Sequence, residues 1–443
     1  MPAEVGWGKN YYYSRAIVHV DGDGFFAACE VARDPSLKGK PVVTGAERGI
    51  VSAATYEAKA LGISRGIRLA DVHKICPETI ILSSDYELYT LFSLRMYEIM
   101  RRYTPVVEEY GIDECFGDIT GMRRVHRMGY EDIARKIKDD LTRELNISFS
   151  LGLSSTKVLA KIASKYEKPN GFTPIRLVEK DTFLKNTPIQ GVWGIGANTG
   201  ELLRKHGIQT AYDFTQRKED WVRNILTKPT IEIWKELQGE QVYELETEHK
   251  QSYHSIQKTK TFTPHTKDSK ALYSELSKNV EAACHKARKY KLTTAKISFY
   301  LKTTTFRYRT CEISLPERTN EPNQILTSIQ TEFMRVFQKG LSYRATGVTL
   351  MHLEEAKETQ LSLFTNTKKA EGTARIFEHM DKLTERFGNS ALFLGSSMKA
   401  IVRRNSIPSG KGVGSGSTKR EGALLSGYDR KKILSLPYLG EVI

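Results

Sequence analysis

The sequence has little of what marks secreted, membrane-spanning or zinc-clipped proteins. Its 443 residues include only five cysteines: Cys29, Cys76, Cys115, Cys284 and Cys311. They are odd in number, scattered and never in a CxxC pair, which excludes a disulfide framework and a structural zinc site. No apolar run approaches the ~20 residues of a spanning helix, and the first residues lack a signal-peptide core. Together these absences predict a protein of a reducing, cytoplasmic compartment that does not insert into a membrane. Acidic residues are also in deficit, 52 against 67 Lys and Arg, for a net charge of +15. That balance favours a polyanionic partner, either nucleic acid or an anionic membrane surface. With 40% hydrophobic residues, the chain has ample material for several cores, so whole-chain disorder is excluded. No internal repeat is visible.

Residues 16–21 alternate like a strand and run into FFAACEVA, whose spacing suits a helix. GKPVVTGAERGIVSAATYEAKALGI reads as strand, turn, strand, helix. A helix is expected over 85–103, broken by Thr104-Pro105, followed by two strands around a turn at Gly111. A helix over 130–145, the strand ISFSLGLS, the helical TKVLAKIASKY and a KPNG turn complete the unit. The order β-α-β-β-α-β, with an insertion after the first helix, predicts a ferredoxin-like sheet with helices on one face. Short helices only are expected over 181–248, and 246–262 reads as a hydrophilic linker. Residues 253–356 alternate strands with two helices, a second α+β unit. A helix near 374–386 and a Ser/Gly/Lys-rich, disordered tail over 403–443 follow.

Asp21 and Asp23 lie two apart at the end of the first strand, so periodicity puts both on one face. GIDECF places Asp113 and Glu114 beside a glycine turn that such a sheet would set next to that strand. Converging carboxylates repel unless a cation neutralises them. Hard oxygen ligands suit Mg²⁺, and a pair of such ions about 3.5–4 Å apart can clamp a phosphoryl displacement. Either acid pair alone is equally explained by acids that cap helices or sit in water. Tyr56 and Lys59 share a helical face, Arg65 and Arg68 follow, and Lys157, Lys161, Lys165 and Lys168 form a basic row. A phosphate-rich ligand would satisfy both acids and bases; a solvated lysine face is the plainer alternative. GVWGIGANTGELLRKHGI, with Gly191, Gly194 and Gly196, leaves backbone N–H groups free at a helix start, where a phosphodiester can bind. A tight turn between helices would use the same glycines. Lys258, Lys260, Lys291, Lys296, Lys302, Arg307 and Arg309, interleaved with Thr, Tyr and Phe, suit backbone tracking or simply a basic sheet surface.

VDGDGFFAACE, YEAKALGI, GIDECFGDITG, GLSSTKVLAKIASKYEKPNG, GVWGIG and QLSLF occur in one order over residues 14–400. In this series the chain resembles the Y-family DNA polymerases. It is similar to the bacterial translesion branch that includes DNA polymerase IV and the catalytic subunit of DNA polymerase V. The resemblance implies an α+β multidomain right hand. A ferredoxin-like palm would take 1–24 and 88–180, small fingers 25–87, and a helical thumb with a helix-hairpin-helix 181–248. An α+β little finger that binds DNA would take 249–356, and a clamp-binding motif with a C-terminal extension 357–402.

By the same resemblance Asp21, Asp113 and Glu114 are catalytic and hold two Mg²⁺ with the Gly22 carbonyl, which leaves Asp23 structural. Phe26 matches the steric gate under the sugar, and Phe25 belongs to the core. Tyr56, Lys59 and Lys168 match the triphosphate-holding positions. Gln360, Leu361, Leu363 and Phe364 match a sliding-clamp motif. Two positions depart from the pattern: Lys59 stands where the DNA polymerase IV group has Arg, and Gly111 where S-[IV]-D-E has serine. Lysine offers a point charge instead of a bidentate fork. The implied activity is low-fidelity, template-directed DNA synthesis across damaged bases by a monomer acting on primer–template DNA and dNTPs. A nucleotidyl cyclase should lack the thumb hairpin and the basic late unit. A catalytically impaired DNA- and clamp-binding scaffold should have lost its acids.

Overall fold

The computed structural model describes residues 13, 15–248, 253–356, 367–387 and 392–401. Between residues 249 and 250 the chain divides into two compact units. The QLSLF motif at 360–364 and the tail over 403–443 lie outside the described residues. Among the described residues no helix is long and apolar enough to cross a membrane.

The first unit opens with β1 (Ile17–Gly22), α1 (Phe25–Arg33), β2 (Val42–Thr44), β3 (Ala53–Ala54), α2 (Tyr56–Ala60), α3 (Leu69–Ile75), β4 (Ile80–Leu82) and α4 (Tyr86–Arg101). It continues through β5 (Val107–Gly111), β6 (Glu114–Asp118), α5 (Arg123–His126), α6 (Tyr130–Leu145), β7 (Phe149–Ser154), α7 (Lys157–Tyr166) and β8 (Phe172–Pro174). Its main sheet runs β5-β6-β1-β7-β8. Without the short β8, which pairs parallel with β7, this is the expected ferredoxin-like order. β1 is central and antiparallel to both neighbours, and its strand faces alternate. Val18 and Val20 enter a core with α4 and α6 residues such as Phe92, Met96, Ile137 and Leu141.

The expectation of helices on one face only needs correction. Ile17 packs with Phe116 and Ala160 of α7 on the opposite face. Gly152 makes that approach possible, because a Cβ there would meet the Ala160 carbonyl at 2.1 Å and the Ser164 nitrogen at 2.4 Å. α7 is buried nearly all round, Lys157 and Lys161 included, as befits a helix between two cores. Val158, Leu159, Ile162 and Ala163 belong to a further core with Leu184, Val192, Leu203, Phe214 and Trp234. That core is built by five short helices, α8 (Lys180–Lys185), α9 (Ala197–Lys205), α10 (Ala211–Thr215), α11 (Glu219–Ile225) and α12 (Lys228–Gln238). The insertion after α1 is a small β3-β2-β4 sheet with its own core of Val43, Val51, Ala54, Ala58, Ile63 and Val72.

The second unit holds β9 (Ser255–Thr266), α13 (Ser269–Lys289), β10 (Leu292–Thr303), β11 (Tyr308–Thr319), α14 (Pro322–Val336), β12 (Tyr343–Glu355) and α15 (Thr367–Phe387). Its antiparallel sheet runs β11-β10-β12-β9. Leu272, Leu276, Val280, Ile325, Ile329 and Phe333 of α13 and α14 pack on Ile297, Phe299, Leu301, Val348 and Leu350. The C-terminal extension folds back on α13. Asp381 of α15 accepts from Arg288 Nε at 2.6 Å and Nη2 at 2.7 Å, and from His285 Nδ1 at 2.8 Å. Ala400 N donates to Ser274 Oγ at 3.0 Å. Burial opposes charge on Asp381, but the Arg288 and His285 bonds outweigh it and hold the carboxyl below its ordinary range. Its stabilisation is therefore present above pH ~3.9, the usual aspartate value, and is lost as pH falls through the lower folded value. Asp381→Ala should cost about 1–3 kcal/mol and expose α15 to limited proteolysis at neutral pH; an unchanged cleavage pattern would mean that α15 docks by apolar contact alone.

Candidate active site

The alternation that buries Val18 and Val20 puts Ile17, His19 and Asp21 on the α7 side of β1. Register pairs Asp21 with Glu114 across β6 and with Ser150 across β7. Gly22 N donates to the Asp113 carbonyl at 2.8 Å, which ties the β5–β6 turn to the end of β1. That turn is Ile112–Asp113, with Gly111 paired to Glu114, one step later than the sequence suggests. Gly22 itself is a close-packing position, since a Cβ there would lie 2.6 Å from Phe25 Cδ2.

The expected acids therefore converge. Asp113 has its pKa raised, first by burial and then by the charges of Asp21 and Glu114. Two ammonium groups offset the repulsion: Lys168 bonds Asp21 Oδ1, and Lys161 Nζ lies 2.8 Å from Glu114 Oε2. Asp21, Glu114 and His19 each present an atom within 4.8 Å of the others. His19 is not free to ligate. Its Nε2 is 3.1 Å from Glu114 Oε2 and its Nδ1 is 2.7 Å from Ser164 Oγ, so both ring nitrogens are engaged. Burial pushes its pKa down and keeps the imidazole neutral. For Glu114, burial raises the pKa, yet the hydrogen bonds from His19 and Lys161 prevail and hold it at about 2. An ionised, all-oxygen donor set that already draws two cationic side chains fits a hard divalent cation. His19 is the residue that the sequence reading passed over. Its signal was the i, i+2 spacing to Asp21 on an otherwise apolar strand.

Asp23 is elsewhere. It is 3% exposed, past the strand end, and takes Ser150 Oγ at 2.9 and 3.1 Å and Asn170 N at 2.7 Å. A carboxylate so engaged is structural. Beside it stand Tyr56, whose hydroxyl is 3.5 Å from Asp23 Oδ1, and Lys59, whose ammonium sits 3.9 Å above the Tyr56 ring. Burial, aided by Asp23 and Asp21, pushes the Tyr56 phenol up to about 12, so it remains a donor. Burial lowers Lys59, and Lys168 adds to the shift, which places the two ammonium groups within electrostatic reach. Gly24 has φ +61°, and its missing Cβ would stand 2.8 Å from the Ala54 carbonyl and 3.8 Å from Lys59 Nζ. Tyr56, Lys59 and Lys168 thus form a basic cradle next to Asp21. Phe26 follows at the start of α1, stacked on Tyr89 at 4.4 Å and edge-on to Tyr86 at 5.6 Å, while Phe25 is core.

The rest of the basic row splits. Lys157 is buried in an ion pair with Glu108 at 2.6 Å and is neither solvated nor turned to the acids. Lys165 is exposed, and the packing around its ammonium, then the charge of Lys161, lowers its pKa. In the hairpin, Gly194 has φ +83° and would clash with Ile233 Cδ1 at 2.5 Å if substituted, whereas Gly196 caps α9 with open space around it and Gly191 is nearly as free.

The second-unit residues are placed within that unit alone. Lys258 and Lys260 share the helix-facing side of β9 with Ile256, and Lys258 feels Lys286 of α13. Lys302 is on the open face, its ammonium 2.7 Å from the Tyr308 hydroxyl and 5.2 Å above Phe306, with exposed Arg307 in the same turn. Phe306 and Tyr308 are 60% and 57% exposed, a surface suited to stacking beside positive charge.

Comparison with known proteins adds the class. The "impB/mucB/samB family" profile matches residues 20–165, the "IMS family HHH motif" 179–208 and the "impB/mucB/samB family C-terminal domain" 253–363. A DNA polymerase IV of Methanoculleus marisnigri is 30% identical over 356 residues, 79% of this chain and 98% of that relative. A DNA polymerase IV of Clostridioides difficile is 29% identical over 373 residues, 83% of this chain and 98% of its own length. One from Streptococcus pneumoniae serotype 4 is 31% identical over 350 residues, covering 76% and 96%. The solved "Y-family DNA polymerase chimera Dbh-Dpo4(243-245)-Dbh" superposes with a TM-score of 0.64 at 25% identity, covering 77% of this chain and 99% of the chimera. All four are named as DNA polymerases, and the chain is a DNA-directed DNA polymerase of that class. More narrowly, the chain belongs to the Y family of DNA polymerases, with that family's multidomain α+β fold.

The electrostatics separate two neighbouring aspartates in the metal-free protein. Asp113→Asn removes a carboxylate whose charge is opposed by burial and by Asp21 and Glu114, and should raise the melting temperature measured in chelator. Asp23→Ala strands buried donors and should lower stability by about 2–3 kcal/mol. The reverse ranking would contradict this assignment of strain and support.

Proposed function

We propose that this Y-family chain is a template-directed DNA polymerase of low fidelity that copies past damaged bases, with two Mg²⁺ held by Asp21, Asp113, Glu114 and the Gly22 carbonyl. The observation that carries the reading is the convergence of Asp21, Asp113 and Glu114 at one sheet end, beside a cradle of Tyr56, Lys59 and Lys168. When bound, such cations supply charge neutralisation at the α-phosphate and a lowered pKa for the primer 3′-hydroxyl. The reaction is attack of that hydroxyl on the α-phosphorus of a dNTP with pyrophosphate leaving in line.

The chain's own residues bind and orient. Lys168, which bonds Asp21 here, and Lys59 offer ammonium groups to the β- and γ-phosphates, and the Tyr56 hydroxyl donates. Lys59 gives a point charge where a guanidinium would give a fork, so its hold is less directional. Phe26, braced by Tyr89 and Tyr86, presents a rigid ring to the sugar and leaves no room for a 2′-hydroxyl. Backbone groups at Gly191, Gly194 and Gly196, and Lys258, Lys260, Lys302 and Arg307, would contact DNA phosphates. The orientation of Lys258 and Lys260 toward the helices supports their role less than the open-face position of Lys302 supports its own. Gln360, Leu361, Leu363 and Phe364 would dock in a sliding clamp, and the polymerase would act as a monomer in the cytoplasm. The impaired-scaffold reading is weakened by the presence of all three acids together, Gly111 notwithstanding.

Primer extension tests this. Asp21→Asn should bind primer–template and fail to extend it in Mg²⁺; extension at the wild-type rate would sink the ligand assignment. Phe26→Ala should admit ribonucleotides at least about tenfold more readily, ~1.4 kcal/mol of lost discrimination. Unchanged discrimination would place the gate elsewhere. Deleting 360–364 should remove clamp stimulation and leave distributive synthesis intact, whereas stimulation that survives would make the motif a coincidence.

A further inference from the structure

Glu114 is held in a way that the metal-binding reading alone does not require. Both of its anchoring bonds reach one oxygen: His19 Nε2 at 3.1 Å and Lys161 Nζ at 2.8 Å both meet Oε2. Oε1 carries neither bond. α7 supplies both anchors from residues three apart, Lys161 directly and Ser164 through its 2.7 Å bond to His19 Nδ1. The helix stands close enough to do so because residue 152 is glycine. Lys161 is 7% exposed and boxed by aromatic rings, its ammonium 4.4 Å from the Tyr110 centroid and 5.2 Å from that of Trp193. Trp193 in turn donates to the Tyr110 hydroxyl at 3.0 Å, so a residue of the thumb hairpin closes the box. On the strand side, a Cβ at Gly111 would sit 3.1 Å from Glu114 Cγ and 3.5 Å from Oε1. Glycine at this position gives the Glu114 side chain the room it occupies.

We propose that His19 and Lys161 are positioning residues that pin Oε2 of Glu114 and so present Oε1, singly, to a divalent cation. The inference rests on the metal-binding reading above and deepens it. Lys161 as a mere counter-charge is the rival, and the two differ in sign. Removing a nearby positive charge should tighten cation binding by Coulomb's law, whereas losing the pin should weaken it. Partners of metal ligands carry about 10–100-fold in metal affinity.

The test uses the full chain with primer–template and a non-hydrolysable dNTP, and titrates Mn²⁺ by the electron paramagnetic resonance signal of the free ion. Lys161→Met and His19→Leu should each raise the Mn²⁺ Kd about tenfold, and His19→Gln, which keeps a donor, should recover part of the loss. Wild-type or tighter binding by Lys161→Met overturns the proposal. Should either buried variant fail to fold, Ser164→Ala removes only the partner of His19 Nδ1; it should also weaken Mn²⁺ binding, and wild-type affinity there counts against the seat. Asp21→Asn separates the two levels. If it binds Mn²⁺ like the wild type, the metal reading itself fails; if it loses Mn²⁺ while the seat variants keep it, only the present inference fails.

Discussion

Mutual repulsion among carboxylates at one end of the catalytic sheet is the constraint on which the first unit is built. Asp21, Asp113 and Glu114 are brought together by strand register and a backbone hydrogen bond, and burial deepens the conflict. The fold contains that cost with buried or half-buried ammonium groups, Lys161 on Glu114 and Lys168 on Asp21, and with the neutral imidazole of His19. Both ammonium groups come from α7 or the turn that follows it. The close packing of α7 over Gly152 is thus an electrostatic device as much as a hydrophobic one. Carboxylates crowded together against their own repulsion are a reason to look for function at this end of the sheet.

The same helix ties the main sheet of the first unit to the short helices α8 to α12. Its apolar residues serve two cores, and Trp193 of the hairpin reaches the Tyr110–Phe116 edge of the sheet. Lys157, buried against Glu108, adds a second ionic fastener between α7 and β5. A buried pair of this kind is weak evidence for net stability but costly to break from one side. In the second unit Asp381 plays the comparable part, fixing α15 to α13 through Arg288 and His285.

Much of this was legible in the sequence because it follows from periodicity and turn chemistry. The alternation Ile17-Val18-His19-Val20-Asp21 gave the central strand, and the strand-helix order gave the ferredoxin-like sheet. The acids, the cradle residues and the structural standing of Asp23 came from motif resemblance, since spacing alone placed Asp23 on the face of Asp21. The chain leaves strand geometry after Gly22, which no periodicity announces. Helices on both faces were missed because the lysines of α7 were read as a row facing a ligand or solvent; Lys157 and Lys161 instead lie buried in ion pairs, and the missing Cβ of Gly152 lets the helix fit. His19 was missed because a lone histidine in an apolar strand carries no motif, and its meaning lies in partners 95 and 145 residues away. Lys258 and Lys260 were grouped with Lys302 and Arg307 as backbone-tracking cations because strand parity was not tested against Ile256.

The central claim is that the acids at the end of β1 and in the β5–β6 turn are a seat for two cations. Anomalous diffraction at the manganese edge, from crystals of the protein with primer–template DNA, Mn²⁺ and a non-hydrolysable dNTP, tests it most directly. The account predicts two peaks that both contact Asp21, with Asp113 and a single oxygen of Glu114 completing the protein ligands and His19 touching neither. A lone peak bonded to His19, or no peak beside Asp21, would contradict it.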